Sequence, residues 1–398
     1  MKRVDFLLSN NRHHVDMMAP VVDRLTVDGG IHCRLLSLCE VRGLPSPTNR
    51  FRSAGAAVRR LLPLPLRRGW MADVARSVKQ RPTSHSVSRS LLWSLVLSPR
   101  LAMLWSRPPD LVVLPNDVAY PYDRIVSKLE SRRIPFLLMQ EGIRFPLPGE
   151  PEDRVYGASS ACAVAAWGKS SAAYFRSVGV DENRLHLTGS PRFDAINSID
   201  WQQMAQSMPF WGALGPRNLL LLTNPIDDQG FCSTKEKHEL VRRFVDHLEP
   251  LLNEGEIRLI VKLHAGESFE LYESALRGAS ACHNVVILTD TPLYPLLAVA
   301  DAAVILASTV GLEALLFDVP LAVLEIPRHG FIFDYVDRGG ARGLRATHEL
   351  PHEVRKLLHY DSKDVAAYIS HHLATTTESA TIVSDLIARL ADRRHTGG

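Results

Sequence analysis

The stretch V-I-L-A-S-T-V-G-L-E-A-L-L-F-D-V-P-L-A-V, from Val304 to Val323, decides the fold of this chain. It consists of a short apolar strand, an A-S-T turn, an amphipathic run and a second apolar strand, which is the pattern of a parallel strand–helix–strand crossover. Ser308 or Thr309 can cap the helix, so that the next backbone N–H groups point towards a ligand above the strand end, a geometry that suits phosphate. Glu313, about one turn further on, could reach a sugar hydroxyl beside that phosphate. An ordinary capped crossover with a solvated Glu has the same pattern, and the surrounding motifs decide between the two.

Length and composition indicate an ordinary globular protein. A chain of 398 residues exceeds what one hydrophobic core usually supports, so two domains are expected. A signal peptide is not expected before the first predicted strand, and the most lipid-like stretch, Leu91 to Trp105, is too short and too interrupted to be expected to span a bilayer. An odd number of scattered cysteines without C-x-x-C favours a reducing cytosol over a disulfide framework or a zinc site. These are Cys33, Cys39, Cys162, Cys232 and Cys282.

The net charge of +3 conceals a strongly basic segment, residues 42–107. It holds thirteen Lys or Arg residues and one acid, Asp73, a local charge of +12, so the rest of the chain totals −9. Leucines and tryptophans interleave with these bases, which suits an anionic membrane surface. No nucleic-acid-binding module accompanies the segment, so nucleic acid is not expected as a partner. The alternative is a long solvated insertion whose apolar residues pack on the domain.

Strands and helices alternate in both halves of the chain. The predicted fold class is therefore α/β, with two doubly wound Rossmann-like domains facing across a cleft. The predicted strands are 4–9, 31–38, 110–114, 135–139, 162–166 and 185–188, then 218–222, 257–263, 285–288, 302–306 and 321–324. The predicted domains are 1–195 with the basic insertion 42–107, a linker to residue 216, 217–375, and a terminal helix in 376–398 that can pack back on the first domain.

In the second half, polar residues follow the predicted strands. His264 ends one strand in K-L-H-A-G-E, and a His at a strand tip with Gly after it can bind a phosphate oxygen. A lone His is more often structural, but Ser308 and its helix start are expected close by. Lys262 alternates with His264 and could face the same way. The absence of G-x-G-x-x-G and of a P-loop Lys argues against a dinucleotide enzyme or a P-loop NTPase.

In the first half, the candidates also lie after predicted strands. They are Arg12, His13, His14, Asp117, Gln140, Glu141 and Arg144. Adjacent histidines could bind a metal, but nothing else has metal-site spacing, so no metal site is predicted. Asp117 or His14 is the expected general base of a transfer reaction. The alternative role for Asp117 is to cap the helix after Pro121.

These motifs resemble those of the non-hydrolysing UDP-N-acetylglucosamine 2-epimerases over nearly the whole chain. Asn10 to Pro20, N-N-R-H-H-V-D-M-M-A-P, resembles the family's G-T-R-P-E-x-x-K-M-A-P. Met139 to Arg144, M-Q-E-G-I-R, resembles V-E-A-G-L-R, and Leu187 to Asp194, L-T-G-S-P-R-F-D, resembles V-T-G-N-P-x-x-D. The resemblance places Asp117 on the family's G-D, His264 on a donor-binding histidine, and Glu313 on one of two glutamates that hold the nucleotide ribose.

Departures from the family bear on the reaction. The family's Pro-Glu is His13-His14 here, its Lys is Met17, and its first catalytic glutamate falls on Gln140, which argues against deprotonation at the sugar C2. K-L-H-A-G-E and A-S-T-V-G-L-E-A also resemble the K-P-H-P and S-S-T-x-x-x-E-A motifs of capsule and teichoic-acid transferases, which have the GT-B fold.

The resemblances imply a nucleotide-activated donor in the C-terminal domain and an acceptor in the N-terminal domain. The predicted function is that of a metal-independent glycosyltransferase of polysaccharide biosynthesis. Its expected donor is a UDP- or CMP-linked sugar, with no further cofactor. Its expected acceptor is a surface polysaccharide such as a capsule, or a glycolipid. The alternatives are an epimerase of UDP-amino sugars, a CDP-glycerol-type glycerophosphotransferase, and a binding protein without catalysis. The expected location is the cytoplasm, with contact at the inner face of the plasma membrane as the option that the basic insertion opens. The expected catalytic residues are Asp117, His14, Glu141 and His264, the donor-binding residues are Lys262, His264, Ser308, Thr309 and Glu313, and the acceptor-binding residues are Arg12, His13 and Arg144.

Overall fold

Two parallel sheets organise the chain. The computed structural model describes residues 2–27, 29–62, 89–143, 155–277, 284–360 and 365–396. They divide into two compact units, and each unit is described by itself. The first takes in the described residues of 1–142, 152–195 and 372–398, and the second takes in Ile143 and those of 196–371. The predicted α/β class is confirmed, because each unit is built on parallel strands separated by helices.

In the part of the chain that is described, the first sheet has seven strands and the second has six, all paired in parallel. The first runs in the order β3-β2-β1-β4-β5-β6-β7 and the second in the order β10-β9-β8-β11-β12-β13. Their bounds are β1 Lys2–Leu8, β2 Ile31–Ser37, β3 Ala57–Arg60, β4 Leu111–Leu114, β5 Phe136–Met139, β6 Ala163–Ala166, β7 Leu185–Leu187, β8 Asn218–Leu222, β9 Arg258–Lys262, β10 Val285–Leu288, β11 Ala302–Ile305, β12 Leu321–Leu324 and β13 Arg342–Leu344. In each sheet the order reverses beside its first strand, between β1 and β4 and between β8 and β11, which is where doubly wound sheets bind ligands.

The helices connect successive strands. Their bounds are α1 His13–Val27, α2 Thr48–Ser53, α3 Ser98–Leu104, α4 Tyr122–Ser131, α5 Lys169–Ser177, α6 Trp201–Gln206, α7 Thr234–His247, α8 Glu249–Asn253, α9 Phe269–Leu276, α10 Leu293–Leu297, α11 Val310–Leu316, α12 Leu350–Leu358, α13 Val365–His372 and α14 Ser379–Thr396. A π-helical turn, Trp93–Leu97, precedes α3, and 3₁₀ turns lie at Cys39–Arg42, Glu182–Arg184, Pro191–Phe193 and Trp211–Ala213. Within the described ranges no helix is long and apolar enough to cross a membrane.

The cores follow from the apolar strands. In the first unit, buried Val4 and Phe6 of β1 pack with Met17 and Met18 of α1 on one face of the sheet. The terminal helix α14 packs on the same face through its apolar side chains. The opposite face is covered by a second cluster, which includes Leu97 and other residues of the segment before β4.

A buried ion pair ties the basic segment to the first sheet. Asp5 on β1 is fully buried and accepts two hydrogen bonds from Arg34 on β2, at 2.9 and 2.5 Å. Trp105 Nε1 donates to Asp5 at 2.8 Å, and Arg34 also donates to the Leu104 carbonyl at 3.2 Å. The end of α3 is therefore fixed to the sheet by a carboxylate that has several donors around it.

The second unit needs a glycine where α11 crosses its sheet. Gly311 is buried, and a Cβ there would lie 2.7 Å from Ile305 Cδ1, 2.8 Å from Tyr335 Cζ and 3.0 Å from Leu321 Cδ2. A side chain at this position would force Ile305, Tyr335 and Leu321 to shift, so glycine lets the helix lie this close to the strands without such repacking.

Every predicted strand is present, within two residues of its expected bounds. Two strands were not predicted, β3 with the sequence A-V-R-R and β13 with the sequence R-G-L, because both are short and carry little apolar pattern. The predicted linker, residues 195–216, holds α6 and a 3₁₀ turn and belongs to the second unit from Ile196 onward. Residues 63–88 of the basic insertion lie outside the described residues.

Candidate functional site

His264 lies just beyond the carboxyl end of β9 with its side chain exposed. Its Nδ1 accepts a hydrogen bond from the Gly266 N–H at 3.1 Å, so the ring proton resides on Nε2, where it can be donated to a ligand. Partial removal of the ring from water lowers the pKa of His264, the Lys262 and Lys237 ammonium groups lower it further, and Glu267 opposes them. The side chain at this strand end is therefore a neutral imidazole with a defined donor.

Glu267 holds the His264 loop in place. Its Oε2 accepts from the His264 N–H at 3.2 Å and from the Thr223 hydroxyl at the end of β8. Its Oε1 accepts from Lys237 Nζ at 2.9 Å and from the Tyr272 hydroxyl at 2.6 Å. The Glu267 side chain is only 2% exposed, so four donors surround a nearly buried carboxylate and the loop geometry is rigidly determined.

Lys237 is the cation of this network. Its Nζ lies 2.8 Å from Asp227 Oδ1 and 2.9 Å from Glu267 Oε1. Burial alone would lower the pKa of Lys237, but its hydrogen bonds to both carboxylates outweigh that effect and raise it. One buried ammonium thus links α7 to the strand ends that carry the candidate donor site.

The end of β11 is joined to the end of β8 by a side chain. Asn224 Nδ2 donates to the Ala307 carbonyl at 2.7 Å, and its Oδ1 accepts from the Ala307 N–H at 3.2 Å. Ser308 and Thr309 follow directly and are half-buried. Through β8, the structure brings the His264 loop and the A-S-T turn to the same edge of one sheet, as predicted from their positions after strands.

The start of α11 differs in detail from the expected cap. Ser308 Oγ accepts from the Val310 N–H at 3.3 Å, whereas Thr309 has helical backbone angles and, within the described part of the chain, no side-chain hydrogen bond caps the helix at that residue. The N–H groups of Gly311 and Leu312 bond back to the carbonyls of Ser308 and Thr309. The first turn is therefore tight, and it directs fewer amides outward than the sequence pattern suggested.

Two further predicted donor residues have partners inside the second unit. Glu313 is buried on α11, and its Oε1 accepts from the Tyr294 hydroxyl at 3.4 Å. Lys262 Nζ donates to the Leu263 carbonyl at 2.7 Å and to the Thr289 carbonyl. Its ammonium is therefore drawn towards the carbonyls at the end of β10, and a phosphate would have to compete with them.

In the first unit, His13 is held as a neutral ring between two elements. Arg192 Nη1 donates to His13 Nδ1 at 2.8 Å, and His13 Nε2 donates to the Glu141 carbonyl at 2.6 Å. Burial lowers the pKa of His13 to about 3, with the Arg192 charge and His14 acting in the same direction. His13 thus contributes a fixed hydrogen-bond link rather than a titrating group at neutral pH.

His14 and Asn116 position the carboxylate of Glu141. His14 Nδ1 accepts from the Ser9 N–H at 3.2 Å, so its Nε2 donates to Glu141 Oε2 at 2.9 Å, while Asn116 Nδ2 donates to Oε1 at 2.6 Å. Burial opposes ionisation of Glu141, but the hydrogen bonds from His14 and Asn116 outweigh it and keep its pKa below the ordinary value. With 31% of its side chain exposed, Glu141 is an accessible, ionised carboxylate at the switch point of the first sheet.

Asp117 has a different environment from the one expected of a base. Its carboxylate is buried and accepts from the Gly157 N–H at 3.0 and 3.1 Å and from the Ser159 N–H at 3.4 Å. Burial raises its pKa, and these hydrogen bonds oppose the rise. The alternative prediction, that Asp117 caps the helix after Pro121, is wrong. Within the described residues no side chain caps α4, and the N–H groups of Val118 and Ala119, which precede this helix, donate to Asn116 Oδ1.

The remaining candidates from the first half of the sequence are Gln140, Arg12 and Arg144. Gln140 is buried, donates to the Gly142 carbonyl at 2.9 Å and to Ser171 Oγ at 2.8 Å, and accepts from the Trp167 N–H at 2.8 Å. Arg12 is exposed before α1. Arg144 lies outside the described residues.

Sequence inspection missed Asn116, Arg192 and Glu267 as site residues. Each follows a strand, which is the signal that could have identified them, but their partners lie far away in sequence. Glu267 meets Lys237 across 30 positions, and Arg192 meets His13 across 179.

Comparisons with known proteins rest on the fold, because no family model and no curated protein matches the sequence. A UDP-N-acetylglucosamine 2-epimerase structure is similar with a TM-score of 0.67 and 16% identity, over 99% of this chain and 98% of that one. The UDP-GlcNAc 2-epimerase from Neisseria meningitidis bound to UDP-GlcNAc has a TM-score of 0.63 and 14% identity, over 98% of this chain and 100% of that one. A variant of the wall teichoic acid polymerase TagF has a TM-score of 0.62 and 13% identity, over 99% of this chain and 90% of that one. All three are GT-B superfamily members, and at these identities the similarity establishes that this chain has the GT-B fold.

Proposed function

We propose that the protein is a glycosyltransferase that moves a sugar from a UDP- or CMP-linked donor to a glycan or lipid-linked acceptor. The observation that carries the proposal is the set of hydrogen-bond donors at the strand ends of the second sheet. There a neutral imidazole with its proton on Nε2, that of His264, shares a strand-end surface with the hydroxyls of Ser308 and Thr309. Donors of this kind at a switch point suit a phosphate group.

On the donor side, the leaving group is a nucleoside phosphate on which negative charge grows as the glycosidic bond breaks. His264 Nε2 would donate to a phosphate oxygen, and the approaching charge would raise the pKa of the imidazole, so that the interaction strengthens as the bond breaks. The hydroxyls of Ser308 and Thr309, which follow β11, would donate to a phosphate of the same donor. Glu313 would accept from the ribose hydroxyls, a role that follows from the family resemblance. These roles need no metal ion.

On the acceptor side, Glu141 is better suited to be the base than Asp117 or His14. Its side chain is 31% exposed, and each oxygen keeps a second lone pair beside the one that binds His14 or Asn116, whereas Asp117 is buried and both ring nitrogens of His14 are engaged. Glu141 would accept the proton of the acceptor hydroxyl as that oxygen bonds to the sugar. Arg12, His13 and Arg144 stay proposed acceptor contacts. We expect His13 to act indirectly, by holding the backbone of Glu141 through its hydrogen bond to the Glu141 carbonyl.

Epimerisation of a UDP-amino sugar is the second candidate, favoured by the epimerases among the similar structures. Gln140 argues against epimerisation, because it corresponds to the family's first catalytic glutamate but is an amide, and among the described residues its side chain bonds to Gly142, Ser171 and Trp167. An amide does not take a proton at neutral pH. Glycerophosphotransfer from CDP-glycerol is a third, since TagF is among the similar structures.

The test combines ligand binding and product analysis. Thermal unfolding is measured with UDP, CMP, CDP and GDP, and a ligand of the folded state raises the midpoint. His264→Ala should abolish the shift, whereas the exposed control His348→Ala should keep it. Incubation with UDP-N-acetylglucosamine alone then separates the candidates, because a transferase leaves the C2 configuration unchanged. Absence of any nucleotide-induced shift, or equal shifts in both variants, would remove the donor site.

A further inference from the structure

The helical segment before β4 is apolar on two opposite faces. On one face Leu97, Leu101 and Trp105 are buried in the core of the first unit, at a spacing of four residues. Positions 95 and 103 fall on the other side of the same helix, about half a turn away at 100° per residue. A helix packed on a domain normally places polar residues on its outer side, but here positions 95 and 103 are Leu and Met.

The outer face carries large apolar side chains, which we name the apolar ridge. It consists of Leu91, Leu95 and Met103, which are 53%, 72% and 64% exposed. These three are a large share of the strongly exposed apolar side chains among the described residues, and they lie on one helical segment. Single exposed leucines need no explanation, but such a row indicates a contact surface.

Cations surround this helical segment. Arg100 Nε donates to the Arg60 carbonyl at 2.9 Å, which places the end of β3 beside α3. From α4, Lys128 Nζ donates to Ser98 Oγ at 2.9 Å and Arg132 Nη1 donates to the Trp105 carbonyl at 3.1 Å. The described parts of the basic segment, 42–62 and 89–107, hold eight arginines and no acid.

We infer that the apolar ridge and its flanking cations bind the surface of an anionic lipid bilayer. Apolar side chains on one face with arginines beside them are what lets a surface helix enter the headgroup boundary while its cations meet lipid phosphates. The charge selects a negatively charged partner, and the exposed Leu and Met side chains select one with an apolar interior, so a bilayer fits better than a nucleic acid. The inference does not depend on the proposed donor chemistry, but it would place the first unit where a lipid-linked acceptor is found.

Vesicle flotation tests this. The probes are vesicles of phosphatidylcholine alone and of an equimolar mixture with phosphatidylglycerol, at salt concentrations of about 0.1 M and about 1 M, where charges are screened over about 10 and 3 Å. The full chain should float with the anionic vesicles at low salt and separate from them at high salt. The triple variant Leu91→Ser, Leu95→Ser, Met103→Ser should bind at least about tenfold more weakly, a loss of about 1.4 kcal/mol.

Two further variants separate the causes. Val27→Ser with Leu187→Ser changes exposed apolar residues of the same unit outside the apolar ridge and should bind like the unchanged protein. Arg59→Gln with Arg107→Gln removes two exposed charges of the described basic segment and should weaken binding and reduce its salt dependence. The nucleotide-induced thermal shift, measured on every variant, checks folding and keeps the outcome separate from that of the proposed function.

Several results would overturn the inference. The full chain could remain unbound with anionic vesicles at low salt, or the triple variant could bind as well as its control. A change in solution mass in the triple variant, with vesicle binding intact, would make the apolar ridge a contact between two copies of the chain. Equal salt-dependent binding of a single-stranded oligonucleotide by all variants, without vesicle binding, would assign the charge to nucleic acid.

Discussion

The substitution His13→Gln should make the first unit less sensitive to acid. The imidazole of His13 has an ordinary pKa of 6.5 in the unfolded chain and a pKa of about 3 in the folded one. Between these values the unfolded state binds a proton that the folded state does not, so stability falls as the pH falls from 6.5 towards 3. The slope is about 1.4 kcal/mol per pH unit, and integration from pH 7 to pH 5 gives a loss of about 2 kcal/mol.

The glutamine side chain of this variant can keep the chemical pattern of the link, a donor for the Glu141 carbonyl and an acceptor for Arg192, but it does not titrate. Any cost of the imperfect fit is the same at every pH and cancels when stabilities at two pH values are subtracted. Titrating groups remote from position 13 behave alike in both proteins and cancel as well, and Glu141, which does interact with His13, has a pKa below 4.5 and stays ionised across this range.

Hydrogen exchange in urea, followed on peptides from α1, reports the unfolding of the first unit. The free energy of unfolding should fall between pH 7 and pH 5 by about 2 kcal/mol more in the unchanged protein than in the variant. Equal losses in the two proteins would refute the assignment of His13 as a neutral link. An NMR signal of His13 that titrates near its ordinary pKa would refute it independently.

Three further predictions concern single sites. Gly311→Ala should lower the free energy of unfolding by about 1–3 kcal/mol in urea, because its Cβ would overlap three side chains, whereas Gly212→Ala, which meets open space, should change it little. Arg34→Met should cost up to about 3–5 kcal/mol in the same measurement, because Asp5 would stay buried with, among the described residues, only the more distant Arg3 guanidinium, at 3.8 Å, as a nearby cation; a loss under half of that would mean that Arg3 or water compensates the charge of Asp5. Glu141→Gln should lower acceptor-dependent turnover by about 100-fold or more and leave the nucleotide-induced thermal shift unchanged. Because the pKa of Glu141 lies below its ordinary value of 4.5, turnover of the unchanged protein should persist through the neutral range and fall as the carboxylate is protonated at lower pH. If the Glu141→Gln variant keeps its turnover, Glu141 is not the base.

The sequence predicts most strands of both sheets, because buried parallel strands are apolar along their whole length. The segment from Asn218 to Leu222 is four leucines after a polar residue and has the same bounds in the structure. β3 was missed because two of its four residues are exposed arginines, a pattern that does not distinguish an edge strand from a loop. Pro99 made the lipid-like stretch look interrupted, yet it lies in the first turn of α3, where proline is tolerated.

The candidate sites were predictable in position but not in detail. The rule that ligands bind beyond the carboxyl ends of strands selects His264, Ser308 and Glu141 as candidates, and the structure places all three just after strands. The rule does not give the hydrogen-bond partners of a side chain. It therefore predicts Asp117 as a base, whereas in the structure the carboxylate accepts from the N–H groups of Gly157 and Ser159, forty or more positions away. Hydrogen-bond partners of this kind depend on tertiary contacts, which a single sequence does not encode in its local pattern.

The first unit begins at one end of the chain and is completed by the other. Val383 and Ile387 of α14 pack in the same core as Val4 and Met17, while the second unit's residues, 196–371, lie between them in sequence. During synthesis the ribosome therefore produces the whole second unit before the helix that covers the first unit's apolar face emerges. Until then the nascent first unit exposes the part of that face that α1 leaves uncovered, a period in which we expect it to depend on chaperones and to be sensitive to removal of α14.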